Sequence, residues 1–346
     1  MIKVILVDDS PVVLGVLKKM LAESDEIEVV ATAPDGKQAL VEIERTRPDV
    51  ILTDLEMPEM NGLELTRAVM ETNPLPIMVV SAQVRDRQSQ QVFELLRAGA
   101  IEIFPKPEDG MSPANAGLRK ELIHKIRILS GIVVFHRHAS ESRPASTARD
   151  TGAANPGSSG ILVCGSSTGG PQALLKFLGA LDQGFPLPVV CVQHISAGFL
   201  GGLVDWLGDY CDLPVSVAEE GGNPRPGHIY FPEEGRHLTM DAGGSFRYQA
   251  GDLVNGHCPS VDVLFESVAG VHGDRAIGVI LTGMGADGAR GLLALKNKGA
   301  ATIAQDEASS TVFGMPARAI ELGAADQVLP LAQIAGAVAR LAKDRS

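Results

Sequence analysis

The chain has 346 residues, 45% of them apolar, and a formal net charge of −12. This is enough for two ordinary cores, and an acidic balance without a basic block argues against a nucleic-acid surface. No run of about 18 apolar residues exists to cross a membrane and no charged-then-apolar leader precedes the first strand-like segment, so a soluble, cytoplasmic protein without membrane insertion is expected.

Residues 1–128 alternate short apolar runs with helical patterns: IKVILVDD, a helix from about Pro11 to Ser24, IEVVATA, a helix from Gly36 to Thr46, then DVILTDLEMP, PIMVVSAQ and AIEIFPKP. Strand then helix, five times over, predicts a parallel sheet covered on both faces, with ligands at the carboxyl ends of its strands. That edge collects Asp8, Asp9, Asp54, Ser81 and Lys106. A single strand-end Asp commonly only caps the next helix, but five such residues at successive strand ends point to a site. Three carboxylates brought together repel one another and a hard divalent cation relieves that repulsion, so a magnesium site is expected. A lysine and a hydroxyl beside it suit a phosphoryl group on one carboxylate.

These residues resemble the response-regulator receiver domain, through DD after the first strand, Asp54-Leu55-Glu56-Met57-Pro58 with Asn61-Gly62 behind it, Ser81-Ala82 and Lys106-Pro107. The resemblance implies a flavodoxin-like (βα)5 domain phosphorylated on Asp54 by a histidine kinase. It further implies Mg2+ on Asp9, Asp54 and the Glu56 carbonyl, with Asp8 in the outer shell, Ser81 and Lys106 reading the phosphate, and a cis Lys106–Pro107 bond. One position departs from the pattern: Ile103 stands where receivers carry Tyr or Phe, and Phe104 beside it faces the other way.

Residues 129–158 include HRHASESRPASTARDTGAANPGS, without periodicity, and read as a flexible linker. His136 and His138 have metal-like spacing but no nearby partner and are assigned to solvent.

Residues 159–346 resume the alternation with ILVCG, PVVCVQH, LPVSVAEE, AIGVILTGMG and ATIAQD. A second doubly wound, Rossmann-like α/β sheet is predicted, with residues 224–252 read as short strands forming a hairpin inserted at its edge. The four cysteines, Cys164, Cys191, Cys211 and Cys258, form no C-x-x-C pair and read as free thiols. In the first strand-turn-helix unit, Gly165-Ser166-Ser167-Thr168-Gly169 fits G-x-S-x-G, in which a sharp turn lifts the middle serine, Ser167, clear of the sheet. Such a turn also suits an anion cradle, and from the turn alone both readings stay open, although GSSTGG matches neither common phosphate-loop pattern.

A serine nucleophile needs a base and a carboxylate to orient it. His194 closes PVVCVQH at a strand end, a position that His228, His237, His257 and His272 lack. Asp287 lies in the glycine-rich loop after AIGVILTGMG, with Asp262 and Asp306 as rivals, and an N–H from Gly283 to Gly285 is suited to an oxyanion.

GSSTGG, Gln193-His194, PSVDVLFES, LTGMGADGA and QDEASSTVFGMP occur in the order found in the chemotaxis protein-glutamate methylesterases, the CheB family, which residues 160–340 resemble. The resemblance implies Ser167 as nucleophile, His194 as base, Asp287 as orienter, and the N–H groups of Met284 and Thr168 as oxyanion donors. It implies hydrolysis of glutamate methyl esters on chemoreceptors, with deamidation of receptor glutamines and no cofactor for the ester chemistry. A receiver that covers the active-site face until phosphorylated is expected from the same fusion. The competing readings are a serine hydrolase acting on another ester or amide, and a phosphorylation-controlled module whose glycine loops hold a nucleotide.

Overall fold

A computed structural model describes residues 1–82, 88–107, 116–132, 134 and 160–345. The chain divides into two compact units, Met1–Ser142 and Arg143–Ser346. Most of the expected linker, with His136 and His138, lies outside the described residues.

The first unit runs β1 (Ile2–Val7), α1 (Pro11–Leu21), β2 (Ile27–Ala33), α2 (Gly36–Thr46), β3 (Val50–Thr53), α3 (Gly62–Thr72), β4 (Ile77–Ser81), α4 (Gln88–Ala98), β5 (Glu102–Pro105) and α5 (Ala116–Leu129). Its sheet is parallel throughout in the order β2-β1-β3-β4-β5, the flavodoxin-like order. Helices on both faces explain why β3, β4 and β5 are buried along their whole length and read as unbroken apolar runs. One face of the sheet, carrying Leu6, Leu52, Val80 and Phe104, packs on Leu17 and Met20 of α1 and Leu122 and Ile126 of α5. Ile103 is buried as well and, being adjacent to Phe104 in a strand, points to the opposite face. α1 starts at Ser10, whose Oγ accepts from Val13 N, with Pro11 at the first helical position. A reciprocal Asn61–Glu64 capping box starts α3.

The second unit runs β6 (Ile161–Ser166), α6 (Gly170–Leu178), β7 (Val189–Gln193), α7 (Leu200–Tyr210), β8 (Val215–Val217), β9 (Ile229–Phe231), β10 (His237–Met240), β11 (Phe246–Gln249), α8 (Val261–Val271), β12 (Ala276–Ile280), α9 (Ala289–Asn297), β13 (Ala301–Gln305), α10 (Met315–Glu321), β14 (Gln327–Leu329) and α11 (Leu331–Lys343). Seven of these strands form a parallel sheet in the order β14-β13-β12-β6-β7-β9-β8. After β6 the chain winds to one side through β7, and it later returns to the other side at β12. The carboxyl ends of β6, β7 and β12 therefore flank the switch point, where open α/β sheets bind ligands.

One strand differs from expectation. Ile229–Phe231, read above as part of the hairpin, is a fully buried strand of the main sheet between β7 and β8. The hairpin itself is β10–β11, paired from His237 with Gln249 to Met240 with Phe246. Its Leu238 and Phe246 join Val163, Leu264, Phe265 and Leu292 in one core. Each such side chain contributes about 1.5–3 kcal/mol by burial, which makes the sheet and α8 a rigid base for the loops above them.

Candidate active site

β6 ends at Ser166, and Ser167 begins the turn into α6. Gly169 has φ +73, and a Cβ there would lie 2.5 Å from Thr311 side-chain atoms, so only glycine fits both the conformation and the space. Ser167 N donates to the Thr282 carbonyl (3.0 Å), and the Ser167 carbonyl accepts from Gly170 N (2.7 Å). The buried Gln193 amide staples this turn to β7. Ser166 Oγ donates to Gln193 Oε1 at 2.6 Å, and Gln193 Nε2 donates to the carbonyls of Ser167 (2.8 Å) and His194 (2.7 Å). Ser166 and Gln193 are register partners across β6 and β7, so Ser167 and His194 leave the sheet side by side.

His194 Nε2 lies 2.9 Å from Asp287 Oδ2. Asp287 is 1% exposed, yet its carboxylate is fully supplied with donors. Oδ2 also accepts from Val261 N (2.7 Å), and Oδ1 accepts from Ser260 Oγ (2.7 Å), Asn255 Nδ2 (3.0 Å) and Asp262 N (3.2 Å). Burial alone would push the Asp287 carboxyl up. The His194 bond and charge, with the bonds from Asn255 and Ser260, outweigh it and hold the group well below the usual carboxylate range. An ionised carboxylate can only accept, which assigns the proton to Nε2 and leaves the lone pair on Nδ1. That Nδ1 is buried and has no partner among the described residues. The His257 ring stacks on His194 with centroids 3.6 Å apart and planes 6° from parallel. Ser167 Oγ and His194 are not hydrogen-bonded to each other; such bonds are often long before substrate binds.

The loop after β12 closes the third side. A Cβ on Gly283 would meet Ser167 Cβ at 2.8 Å, Ser167 N at 3.0 Å and the Met315 sulfur. Thr282 Oγ1 donates to the Thr168 carbonyl (3.0 Å) and accepts from Val312 N (2.9 Å). Among the described residues nothing bonds the amide N–H of Thr168 or Met284. Beside His194 a pocket of about 210 Å³ is lined mainly by Ile195, Leu200, Phe231, Pro232, His257 and Pro259.

Apart from His257, the rival residues stand outside the His194–Asp287 pair. Asp262, in the first turn of α8, accepts from Gly291 N, Arg290 Nε and Asn255 Nδ2. Asp306 accepts from Ser309, and His237 lies between the Asp252 carbonyl and Ser260 N. His228 Nδ1 lies 3.4 Å from the Pro226 carbonyl, and His272 ends α8. Asn255, Ser260 and the Gln193 staple were not foreseen. Ser260 carries the signal of an N-cap, accepting from Val263 N, and Asn255-Gly256 that of a tight turn, but neither signal names Asp287.

In the first unit Asp8, Asp9 and Asp54 each offer a ligand atom, all within 4.8 Å of one another. Lys106 Nζ lies 2.9 Å from Asp8 Oδ2 and 2.7 Å from Asp54 Oδ2. The first contact is one of charge only, since no donor is aligned on Asp8 Oδ2. Asp54 Oδ1 accepts from Leu55 N (2.8 Å), and Lys106 N donates to the carbonyl of the buried Ser81 (2.8 Å). The Glu56 residue is exposed. A Cβ on Gly62 would strike the Asp54 carbonyl, which explains the glycine after Asn61. Burial raises the Asp54 carboxyl above its ordinary range against the pull of Lys106. For Lys106 burial works downward, and its bond to Asp54 with the charge of Asp8 outweighs it, so its pKa is also raised. One ammonium facing two carboxylates accounts for both directions: Lys106 gains two anionic neighbours, whereas Asp54 gains one cation and bears both its burial and the charge of Asp8. The Lys106–Pro107 bond, expected cis, is trans, the ordinary X–Pro preference; among the described residues the cis bond is Cys258–Pro259.

The CheB methylesterase family profile matches residues 162–338, and that of the response regulator receiver domain matches residues 4–112. A protein-glutamate methylesterase/protein-glutamine glutaminase 1 of Syntrophus aciditrophicus is 41% identical over 347 residues, covering 99% of each chain. A protein-glutamate methylesterase/protein-glutamine glutaminase of Nitrosospira multiformis is 40% identical, over 100% of this chain and 98% of that one. The crystal structure of the Thermotoga maritima CheB methylesterase catalytic domain superposes with a TM-score of 0.52 at 39% identity, covering 53% of this chain and 99% of that one.

Proposed function

The chain belongs to the CheB methylesterase family, with a receiver domain joined to a methylesterase domain, and on that premise we propose that Ser167, His194 and Asp287 hydrolyse glutamate methyl esters of chemoreceptors. The reading is carried by the His194–Asp287 pair at 2.9 Å beside the Ser167 turn. Ser167 Oγ attacks the ester carbonyl while His194 Nδ1 takes its proton; the C–O bond breaks and methanol leaves with that proton. Water then attacks the acyl-serine by the same route and releases the glutamate. With a glutamine side chain the leaving group is ammonia, the second activity in the relatives' names. The free amides of Thr168 and Met284 are suited to the oxyanion of both steps. The Asp287 charge, fixed by five donors, holds the imidazole in one tautomer and stabilises the imidazolium.

In the receiver, Asp54 is the phosphoryl acceptor, with a histidine kinase as donor, and Lys106 and Ser81 contact the phosphate. Three clustered carboxylates and an Asp8 oxygen without an aligned donor fit a hard cation. Asp8, Asp9, Asp54 and the Glu56 carbonyl would hold Mg2+, which when bound supplies charge neutralisation for the transferring phosphoryl group. Phosphorylation raises the esterase rate by shifting a population between two states of the protein.

The test is methanol release from methylated chemoreceptor membranes by the native chain and by Ser167→Ala, each with and without a small phosphodonor and Mg2+. Release that disappears in Ser167→Ala and rises with the phosphodonor is expected. No release from the native chain under any condition would remove this substrate.

A further inference from the structure

Asn255 and His257 belong to one four-residue turn. Val254 N donates to the His257 carbonyl and His257 N to the Val254 carbonyl, both at 3.0 Å, and the residues between them, Asn255 and Gly256, have φ +53 and +85. This is the Asn-Gly geometry of a tight hairpin turn, in which both central residues sit left-handed. The turn sends two side chains to the same place. Asn255 Nδ2 donates to Asp287 Oδ1 at 3.0 Å and to Asp262 Oδ2 at 2.8 Å. The His257 ring lies flat against His194 at 3.6 Å.

We propose that the Val254–His257 turn is a positioning clamp for the His194–Asp287 pair, with Asn255 setting the carboxylate and His257 setting the plane of the imidazole. The Asp287 carboxylate can turn about its last bond, and the donors on Oδ1 fix its plane so that Oδ2 stays directed at His194. An imidazole bonded through one nitrogen can still swing about that bond, and a flat ring on its face removes this freedom. Because the turn closes on itself through two backbone bonds, both restraints move together, and the αL conformation of Asn255 is the strain accepted for it. The proposal rests on the Ser167, His194 and Asp287 reading, and both side chains act through those residues without contacting the ester.

The test compares native chain, Ser167→Ala, Asn255→Gly, His257→Ala and His257→Phe in methanol release, with kcat and KM separated and kcat/KM followed over pH. Glycine suits φ +53, so Asn255→Gly removes the amide while keeping the backbone. Around His194 the titratable or charged groups are Asp287, His257, Cys258 and Glu234, and behind Asp287 stand Asp262 and Arg290. Removing the Asn255 donor concentrates negative charge on Asp287 beside His194, so the acid limb of kcat/KM moves to higher pH. Asn255→Gly and His257→Ala each lower kcat roughly tenfold with KM nearly unchanged, because only the alignment of the reacting pair is lost. His257→Phe recovers most of the kcat, since a flat ring suffices. The clamp is overturned if Asn255→Gly and His257→Ala both keep the native kcat and pH profile while Ser167→Ala is inactive; that result leaves the triad standing. It is equally overturned if His257→Phe is no better than His257→Ala. Full activity in Ser167→Ala overturns the triad reading and the clamp with it.

Discussion

Replacing Asp287 with asparagine changes charge and donor pattern at nearly constant volume, and the five donors around the carboxylate allow its effect to be worked out. The new amide oxygen stays where Asn255 Nδ2, Ser260 Oγ and Asp262 N converge on Oδ1, because three donors face it. The new NH2 group then faces Val261 N and His194 Nε2. Leaving the buried Val261 N–H without an acceptor costs about 1–3 kcal/mol, and turning three charge-assisted bonds into neutral ones costs up to about 1 kcal/mol each, offset in part by relief of the buried charge. A net loss of about 3 kcal/mol follows. Trp206, the one tryptophan in the chain, is buried in α7, so its fluorescence follows unfolding of the catalytic unit in the intact protein. At about 1–3 kcal/mol per molar urea the midpoint falls by about 1–3 M. The pH dependence has a definite sign. The native Asp287 is depressed, so its stabilisation is fully present above the unfolded carboxyl value near ~3.9 and is lost as pH falls through the lower folded value. The gap between native and Asp287→Asn is therefore full at neutral pH and begins to close only below about pH 4. Catalytically, an asparagine NH2 donating to Nε2 moves the ring proton to Nδ1, where the lone pair is needed, and kcat drops by about 10⁴-fold. A midpoint shift below about 0.3 M, or a gap that widens on acidification, would refute the account of Asp287 as an ionised, fully bonded carboxylate.

Gly283→Ala places a methyl against Ser167 Cβ and the Ser167 amide nitrogen, and backbone cannot yield as a side chain can. It should cost about 1–3 kcal/mol by Trp206 fluorescence and about 10²-fold in kcat, with chemical rate rather than KM affected. In the receiver the raised Asp54 carboxyl binds more protons folded than unfolded, so that unit loses stability as pH rises from the unfolded value through the folded one. Calorimetry of the whole chain should show this slope in the native protein, lose it in Asp54→Asn, and show Mg2+ raising the receiver transition only when Asp54 is present. The Cys211 thiol is pushed up to about 12 by burial, then by the neighbouring Cys191 and Asp212. Iodoacetamide at pH 8 should modify this half-buried thiol far more slowly than a free one until urea unfolds the catalytic unit, and labelling at the rate of a free thiol would contradict the raised value.

The strands of both sheets were legible because parallel strands buried on both faces are unbroken apolar runs, and because the residues that end them, Asp54, Ser81, Ser167 and His194, follow those runs directly. Where the runs are three residues long the pattern loses its grip. Ile229–Phe231 has the same apolar content as half a hairpin, and only its parallel pairing with β7 and β8 assigns it to the main sheet. Gln327–Leu329 at the far edge is only partly buried and shows neither period. The site divides along a similar line. A motif fixes what stands on one loop, so the Ser167 turn and the Asp287 loop could be located. What a motif cannot carry is which loop meets which. The donors to Asp287 lie 25 to 32 residues before it and its imidazole partner 93, distances over which local propensity says nothing. Asn255-Gly256 shows why this matters for function. The pair predicts a tight turn from two residues alone, but the turn's effect on the reaction depends on α8, β7 and the β12 loop arriving beside it, and that arrival is set by the packing of the whole core.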